Sequence, residues 1–307
     1  AGDSIGIIAA ADSDIYIIAG GLAAAGANAV GASINTAVLK NDIQAHAGTW
    51  TELMTTATPA VQTSTNGIKI PNRNERRRGI IIFADGNEDV VMVSVSAGAG
   101  GSNAITGVIS TLVARNTVKA TSREHVTISV KKASGSSAND TDPLPGVYIE
   151  AHDDTELLNL AGALSAAGSV GAGATVVALV FNKTVTAETG KEHKILAPGK
   201  VQVIADAKDT LWLLAVNFAA GGSAGVAGGA NALVFQNHIT SALGGIVGDA
   251  RNSVQSVKVS ANSDSSLYNL AAAAGIGGTA GVTAVAVVTY FYNETLSYVR
   301  SEEHTSE

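Results

Sequence analysis

A chain of 307 residues that is 46% hydrophobic is long enough to bury a sizeable core in one or two domains. Aromatics reach only 4% and charges 15% while glycine contributes 34 residues, which argues against a Leu-rich helical bundle and for a core of small side chains packed close to backbone. The net charge of -7 argues against a general nucleic-acid binder, and the lack of cysteine excludes disulfides and thiolate metal sites.

In chain order, the opening AGDSIGIIAA has no Met, basic region or signal-peptide order, and reads as an end from which targeting information is missing. Residues 15–41, IYIIAGGLAAAGANAVGASINTAVLKN, then run without a charge as far as Lys40. Four relatives follow at 90–116, 155–182, 210–237 and 265–293. An aspartate precedes each of the five (Asp14, Asp89, Asp154, Asp209, Asp264) and an asparagine closes each (Asn41, Asn116, Asn182, Asn237, Asn293). The spacings are 27 (41 minus 14), 27 (116 minus 89), 28 (182 minus 154), 28 (237 minus 209) and 29 (293 minus 264). Glycines recur near the middle of each unit, at Gly26, Gly100 with Gly101, Gly168, Gly221 with Gly222 and Gly277 with Gly278, and predict a turn or a close backbone approach. Short alternating runs, IIIFA at 80–84, VYIEA at 147–151, VQVIA at 201–205 and VKVSA at 257–261, predict strands ahead of four of the aspartates. The repeats therefore fall near 5–48, 80–121, 147–190, 201–245 and 257–299 of a single unit over 1–299, with polar insertions at 49–79 and 131–146.

Hydropathy alone would let the uncharged windows span a bilayer as helices, since about 20 apolar residues suffice. Gly, Ala, Ser, Thr and Asn fill them in place of Leu, Ile and Phe, however, and Lys and Arg appear in every connector without alternating sides, so no membrane insertion is expected. GAGATVV at 171–177 and GGSAGVAGG at 221–229 resemble pieces of nucleotide loops but lack the Lys-Ser or Lys-Thr that would hold phosphate and metal. What remains is an all-β fold, a right-handed parallel β-helix (β-solenoid) of five imperfect Gly/Ala/Val-rich repeats. Coils of roughly 20 residues would place two to three coils in each unit, with Val, Ile and Ala inside and Ser, Thr, Asn and Lys outside. The recurrent Asp and Asn are expected at turns, where their side chains bond local backbone.

Chemistry is sparse. Asp153 with Asp154, and Asp85 with Glu88 and Asp89, are the best carboxylate clusters, but their repeat phase assigns them to turn chemistry rather than to acid–base work. The nonapeptide calcium signature is absent, and His46, His125, His152, His193 and His238 occur singly, with surface placement expected. No catalytic residue, cofactor or metal site is assigned. RNERRRG at 73–79 is the one basic cluster, so Arg73, Arg76, Arg77 and Arg78 are the candidate contacts for a sulfated glycan or anionic headgroup. Trp50 offers a stacking face, and Trp212, at repeat phase, is expected to be partly buried.

These features carry a resemblance. Units of Asp, AGG or AGA, GxGA and VxxN followed by xVxA, repeated and Cys-free, resemble the repeats of very large bacterial exoproteins of the filamentous-haemagglutinin and fusobacterial leukotoxin type, over 1–299 outside the two insertions. The resemblance implies a non-enzymatic adhesive or structural shaft, secreted or displayed on a bacterial surface, that contacts a host-cell surface or glycan and stacks on further repeats at both ends. Two alternatives stand beside it: a β-helical carbohydrate-active enzyme (lyase or glycosidase) and the shaft of a leukotoxin-like cytotoxin. RSEEHTSE at 300–307 resembles a translated sequencing adapter, a scar expected to have no packing partners.

Overall fold

The computed structural model describes residues 4–57, 67–73, 75–132, 144–249 and 253–300. β-Branched and small residues alternate between two faces over unusually long runs, and each run forms one strand. Coil one is β1 (Ser4–Ala25), β2 (Asn28–Ala47) and the short β3 (Glu52–Ala57). An antiparallel pair, β4 (Ile68–Lys69) and β5 (Arg76–Arg77), belongs to the first insertion. Coil two is β6 (Gly79–Gly100), β7 (Asn103–Ser122) and β8 (Thr127–Lys132); coil three is β9 (Gly146–Ala167), β10 (Val170–Thr189) and β11 (Lys194–Leu196). Coil four is β12 (Lys200–Gly221), β13 (Ala224–Leu243) and β14 (Ile246–Val247), and coil five is β15 (Ser256–Gly277) with β16 (Ala280–Val299).

Like strands stack in parallel on like strands. Sheet 1 runs β1-β6-β9-β12-β15, sheet 2 runs β2-β7-β10-β13-β16, and sheet 3 runs β3-β8-β11-β14. The chain is a β-solenoid in which one repeat is one coil, not two or three. The ~20-residue coil expected from the sequence fails because each long face of the coil is itself a strand of 20 or 22 residues. Offsets between coils are 75 (80 minus 5), 67 (147 minus 80), 54 (201 minus 147) and 56 (257 minus 201) along the rung Ile5, Ile80, Val147, Val201, Val257. Sheet 2 follows the same offsets through Asn28, Asn103, Val170, Ala224 and Ala280, so no residue is gained or lost inside a coil's two long sides.

Glycine turns at 26–27, 101–102, 168–169, 222–223 and 278–279 join sheet 1 to sheet 2, as their recurrence predicts. The turns are themselves a hydrogen-bonded ladder: Gly101 donates to the Ala25 carbonyl, Gly168 to Gly100, Gly222 to Ala167 and Gly278 to Gly222. At this end the sheets converge so closely that a Cβ on Gly21 would lie 2.3 Å from the Ala32 carbonyl oxygen, and one on Gly171 would lie 2.1 Å from that of Ala220. Sheet 3 holds the other end open. The wide end is filled by Ile, Val and Ala from all three sheets, among them Ile80, Ile82, Val118, Ile128, Val147 and Val201. A second apolar compartment, with Met92, Leu112, Leu213 and the stacked rings of Phe181, Phe235 and Phe291, occupies the middle.

Between that middle and the turns the expected polarity is inverted. On β12 the outward residues are Trp212, Leu214, Val216, Phe218 and Ala220, whereas Asn217 points inward; on β6 Val91, Val93 and Val95 face out while Ser94 and Ser96 are buried. Asn35, Thr106, Ser110, Asn159, Ser165, Thr175 and Asn231 are likewise interior. They bond across the narrow gap: Ser110 Oγ donates to Asn159 Oδ1 at 2.6 Å, Ser165 Oγ to the Ala104 carbonyl at 2.7 Å, and Asn217 Nδ2 to the Gly228 carbonyl at 2.6 Å. Where facing backbones nearly touch there is no room for Leu or Ile, and short polar side chains reach the opposing strand instead.

Candidate functional site

Two polar rungs face one another between the apolar compartments. On sheet 2 stand Asn41, Asn116, Lys183, Asn237 and Asn293; on sheet 1 stand Ser13, Glu88, Thr155, Asp209 and Ser265. Lys183 is fully buried. Its Nζ lies 2.8 Å from Asp153 Oδ2 and 2.7 Å from Asp209 Oδ1, both also buried, and donates to Thr155 Oγ1 at 2.9 Å. Burial alone would lower the Lys183 ammonium, but Asp153 and Asp209 outweigh it and hold it above the ordinary lysine range. Glu88, one coil away, accepts from Asn116 Nδ2 at 2.6 Å, Asn41 Nδ2 at 2.9 Å and Thr155 Oγ1 at 3.0 Å. Burial and then the neighbouring Asp153 carboxylate push Glu88 up to about 8. This column ties coils two, three and four together through side chains.

Outside sheet 1, the end of the first insertion folds over the wide half. Ile68 and Ile70 pack on Ile81, Phe83 and Tyr148, burying outward residues that would otherwise be exposed. Arg77 pairs with the buried Glu150 and, at 2.9 Å, with Glu75, its guanidinium 4.7 Å from the Tyr148 ring centre. Next to this lies a cleft of about 350 Å³ lined by Arg73, Asp85, His152, Asp206, Lys208 and Asp264, among others. Asp85, His152 and Asp206 occupy successive coils of one rung. His152 contacts Glu150 and Asp206, each at 3.3 Å; burial opposes its charge, but these carboxylates raise it above the ordinary histidine value. Asp85, which accepts from Asn72 Nδ2 at 2.7 Å, is raised by burial, whereas Asp206 is lowered because His152 and Asn262 outweigh its burial. Among the described residues no group of three or more His, Asp or Glu is placed to hold a metal ion.

The sequence-derived positions are redistributed. None of the five aspartates is at a turn; all lie inside strands, and they occupy three different rungs. Asp14 and Asp89 share one with Glu156, Asp209 shares one with Glu88 and Thr155, and Asp154 and Asp264 share one with Asp12, Asn87 and Lys208. The asparagines are also mid-strand, and four of them form a true ladder, but Lys183 rather than Asn182 continues it; Asn182 faces out beside Gln236. Asp85, Glu88 and Asp153 are buried network members, not turn residues. His152 and His193 are buried, contrary to the surface placement expected, and His193 Nε2 lies 2.6 Å from Ser122 Oγ. Of the arginines, Arg73 is exposed at the cleft, Arg76 donates to the Gly67 carbonyl, and Arg77 is a packed ion-pair partner rather than a free ligand contact. Trp50 is exposed and stacks on His125 at 4.0 Å; Trp212 is 42% exposed and stacks on Tyr268 at 3.8 Å. Residues 58–66 and 74 of the first insertion, 133–143 of the second and 301–307 of the tail lie outside the described residues. Arg300 does have partners, since its N–H donates to the Leu243 carbonyl at 2.8 Å and its guanidinium to the Tyr298 hydroxyl.

The network was missed, yet a signal existed. Alternation that places Phe181 inward also places Lys183 inward, because side chains two apart share a face. Comparison with family models, curated proteins and solved structures finds no match to this chain.

Proposed function

We propose that the chain is a non-enzymatic adhesive or structural shaft, part of a secreted or surface-displayed bacterial repeat protein. The carrying observation is the in-register stack of five coils with a filled interior, cross-linked between coils by the Lys183 column. Such a stack extends in one dimension by repetition, each coil contacting only its neighbours. The groups best suited to acid–base chemistry are engaged: Asp153, Asp209 and Glu88 are enclosed between sheets, and Glu150 is held by Arg77 and His152. Beads coated with the chain should be retained on epithelial cells above beads coated with an unrelated β-protein; equal retention would overturn the adhesive part of this reading.

The cleft supports a second reading, a β-helical glycosidase. Asp85 and Asp206 are two coils apart on one rung, about 9.5 Å along the stack at about 4.8 Å per coil, near the upper separation that inverting enzymes use. Their environments push their protonation in opposite directions. Reducing-sugar release from a polysaccharide panel that disappears in Asp206→Asn would favour this reading over the shaft.

A further inference from the structure

The half of the solenoid between the polar rungs and the glycine turns is uncharged both inside and outside. No Asp, Glu, Lys or Arg occurs in 15–39, 90–114, 157–181, 211–235 or 265–293. Beyond the apolar middle, toward the turns, its outward side chains are more apolar than its inward ones. Leu164 and Val216 on sheet 1 and Val176 on sheet 2, all in the middle coils and flanked by neighbours on either side, are still 49%, 44% and 41% exposed. Polar inside and apolar outside is the pattern of strands that face lipid.

The sequence expectation of no insertion weighed the uncharged windows as helices; they are strands, and from these observations we propose that this half inserts into the hydrocarbon of a lipid bilayer. Three features favour lipid over a protein partner. First, five strands about 4.8 Å apart and about 11 residues deep make each outer face roughly 24 by 36 Å, on the order of 900 Å². One such face is enough for a standard interface, about 800 Å² per partner. A second copy docked on one face would leave the opposite face bare, whereas a bilayer covers both faces at once. Second, the depth of roughly 36 Å matches a hydrocarbon layer of about 30 Å. The slab is bordered at one side by Tyr16, Trp212 and Tyr268 next to the acidic rungs, and at the other by turns carrying Ser102, Ser169, Ser223 and Thr279. Aromatic residues at one boundary and hydroxyls at the other suit the two headgroup regions. Third, the turns' coil-to-coil ladder pairs backbone groups that must cross the hydrocarbon before they reach the far headgroup region. In lipid, the open backbone edges of the first and last coils favour end-to-end pairing of chains.

The test is flotation with phosphatidylcholine vesicles, using two single-tryptophan chains. Trp50→Phe leaves Trp212 at the border of the slab; Trp212→Phe leaves Trp50 at the opposite, polar end. Trp212 emission should shift to shorter wavelength and be quenched by lipid brominated near the headgroup, while Trp50 stays unchanged. Leu164→Lys and Val176→Lys, on opposite faces, should each reduce the floated fraction about tenfold or more, with the far-ultraviolet circular dichroism of the unmodified chain. A folded chain left in the aqueous layer, whether monomeric or self-associated, would overturn the proposal. So would an unchanged Trp212, or folded lysine variants that float as well as the parent. If either lysine variant loses its β signal, the Trp212 quenching decides.

Discussion

Lys183 illustrates how a single side chain acquires weight from its rung. Methionine could occupy its volume, but Asp153 and Asp209 would then face each other with no cation in a site from which water is excluded. Lys183→Met should therefore cost about 3–5 kcal/mol in chemical denaturation. Lys183→Met combined with Asp153→Asn and Asp209→Asn should recover much of that loss, because it is the stranded charge rather than the missing contact that is expensive. Glu88 makes a pH-dependent contribution. Its folded value near 8 lies above the ordinary 4.5, so its contribution is full below pH 4.5 and lost as pH rises toward 8. His193 acts at the other end: burial lowers it to about 4, so its contribution is full above pH 6.5 and lost as pH falls toward 4. Only Glu88 of these two acts between pH 6.5 and 8. His152, also raised, loses its contribution in the same window, so stability there should fall in the parent chain and by measurably less in Glu88→Gln, read from denaturant midpoints at several pH values.

At the scale of elements, the first insertion is part of the packing and not only a loop. Replacing Arg77 with Ser would strand Glu150, which is 1% exposed, and remove the cation over Tyr148. A loss of about 3–5 kcal/mol is expected, against no more than about 0.5 kcal/mol for Arg73→Ser at the exposed rim of the cleft; thermal melts of the two variants make the comparison. The turn end makes an opposite demand. Gly171→Val would drive a side chain into the Ala220 backbone of the facing sheet, and neither sheet can yield without breaking its ladder. A cost of about 1–3 kcal/mol or more is expected, whereas Gly26→Ala, with nothing within 4 Å of its would-be Cβ, should melt with the parent chain.

For the whole molecule, the sequence revealed the number of repeats, their β character and the glycine turns, because those depend on periodicity and on backbone sterics, but not that each strand runs 20 or 22 residues and makes one repeat one coil. It did not reveal which face of each strand was inward. Asp89 and Asp209 look like equivalent punctuation, yet one points out and the other in, since a one-residue offset flips a side chain through the sheet. When both faces are apolar, as from Leu211 to Val216, alternation carries too little contrast to resolve that parity. Arg77 was unreadable for a different reason, since its partner Glu150 lies 73 residues away. Far-ultraviolet circular dichroism of the full chain should be dominated by β-structure; a helical spectrum would contradict the fold.

The ion column also restricts how such a chain can be shortened or lengthened by recombination. Coil three, residues 146–199, is 54 residues long (200 minus 146), and its excision would join Pro145 directly to Lys200, which would take the place of Gly146 beside Gly79 without disturbing the register of either long sheet. Every apolar rung would survive that splice. Glu88 would then stack beside Asp209, however, with Asn116 and Asn237 opposite and the ammonium gone. Loss of coil one or coil five would leave the cation with both its carboxylates. The repeats are thus alike in shape but unequal as units of exchange: the outer ones can be traded freely, and the third can be copied or deleted only together with the charges that answer it.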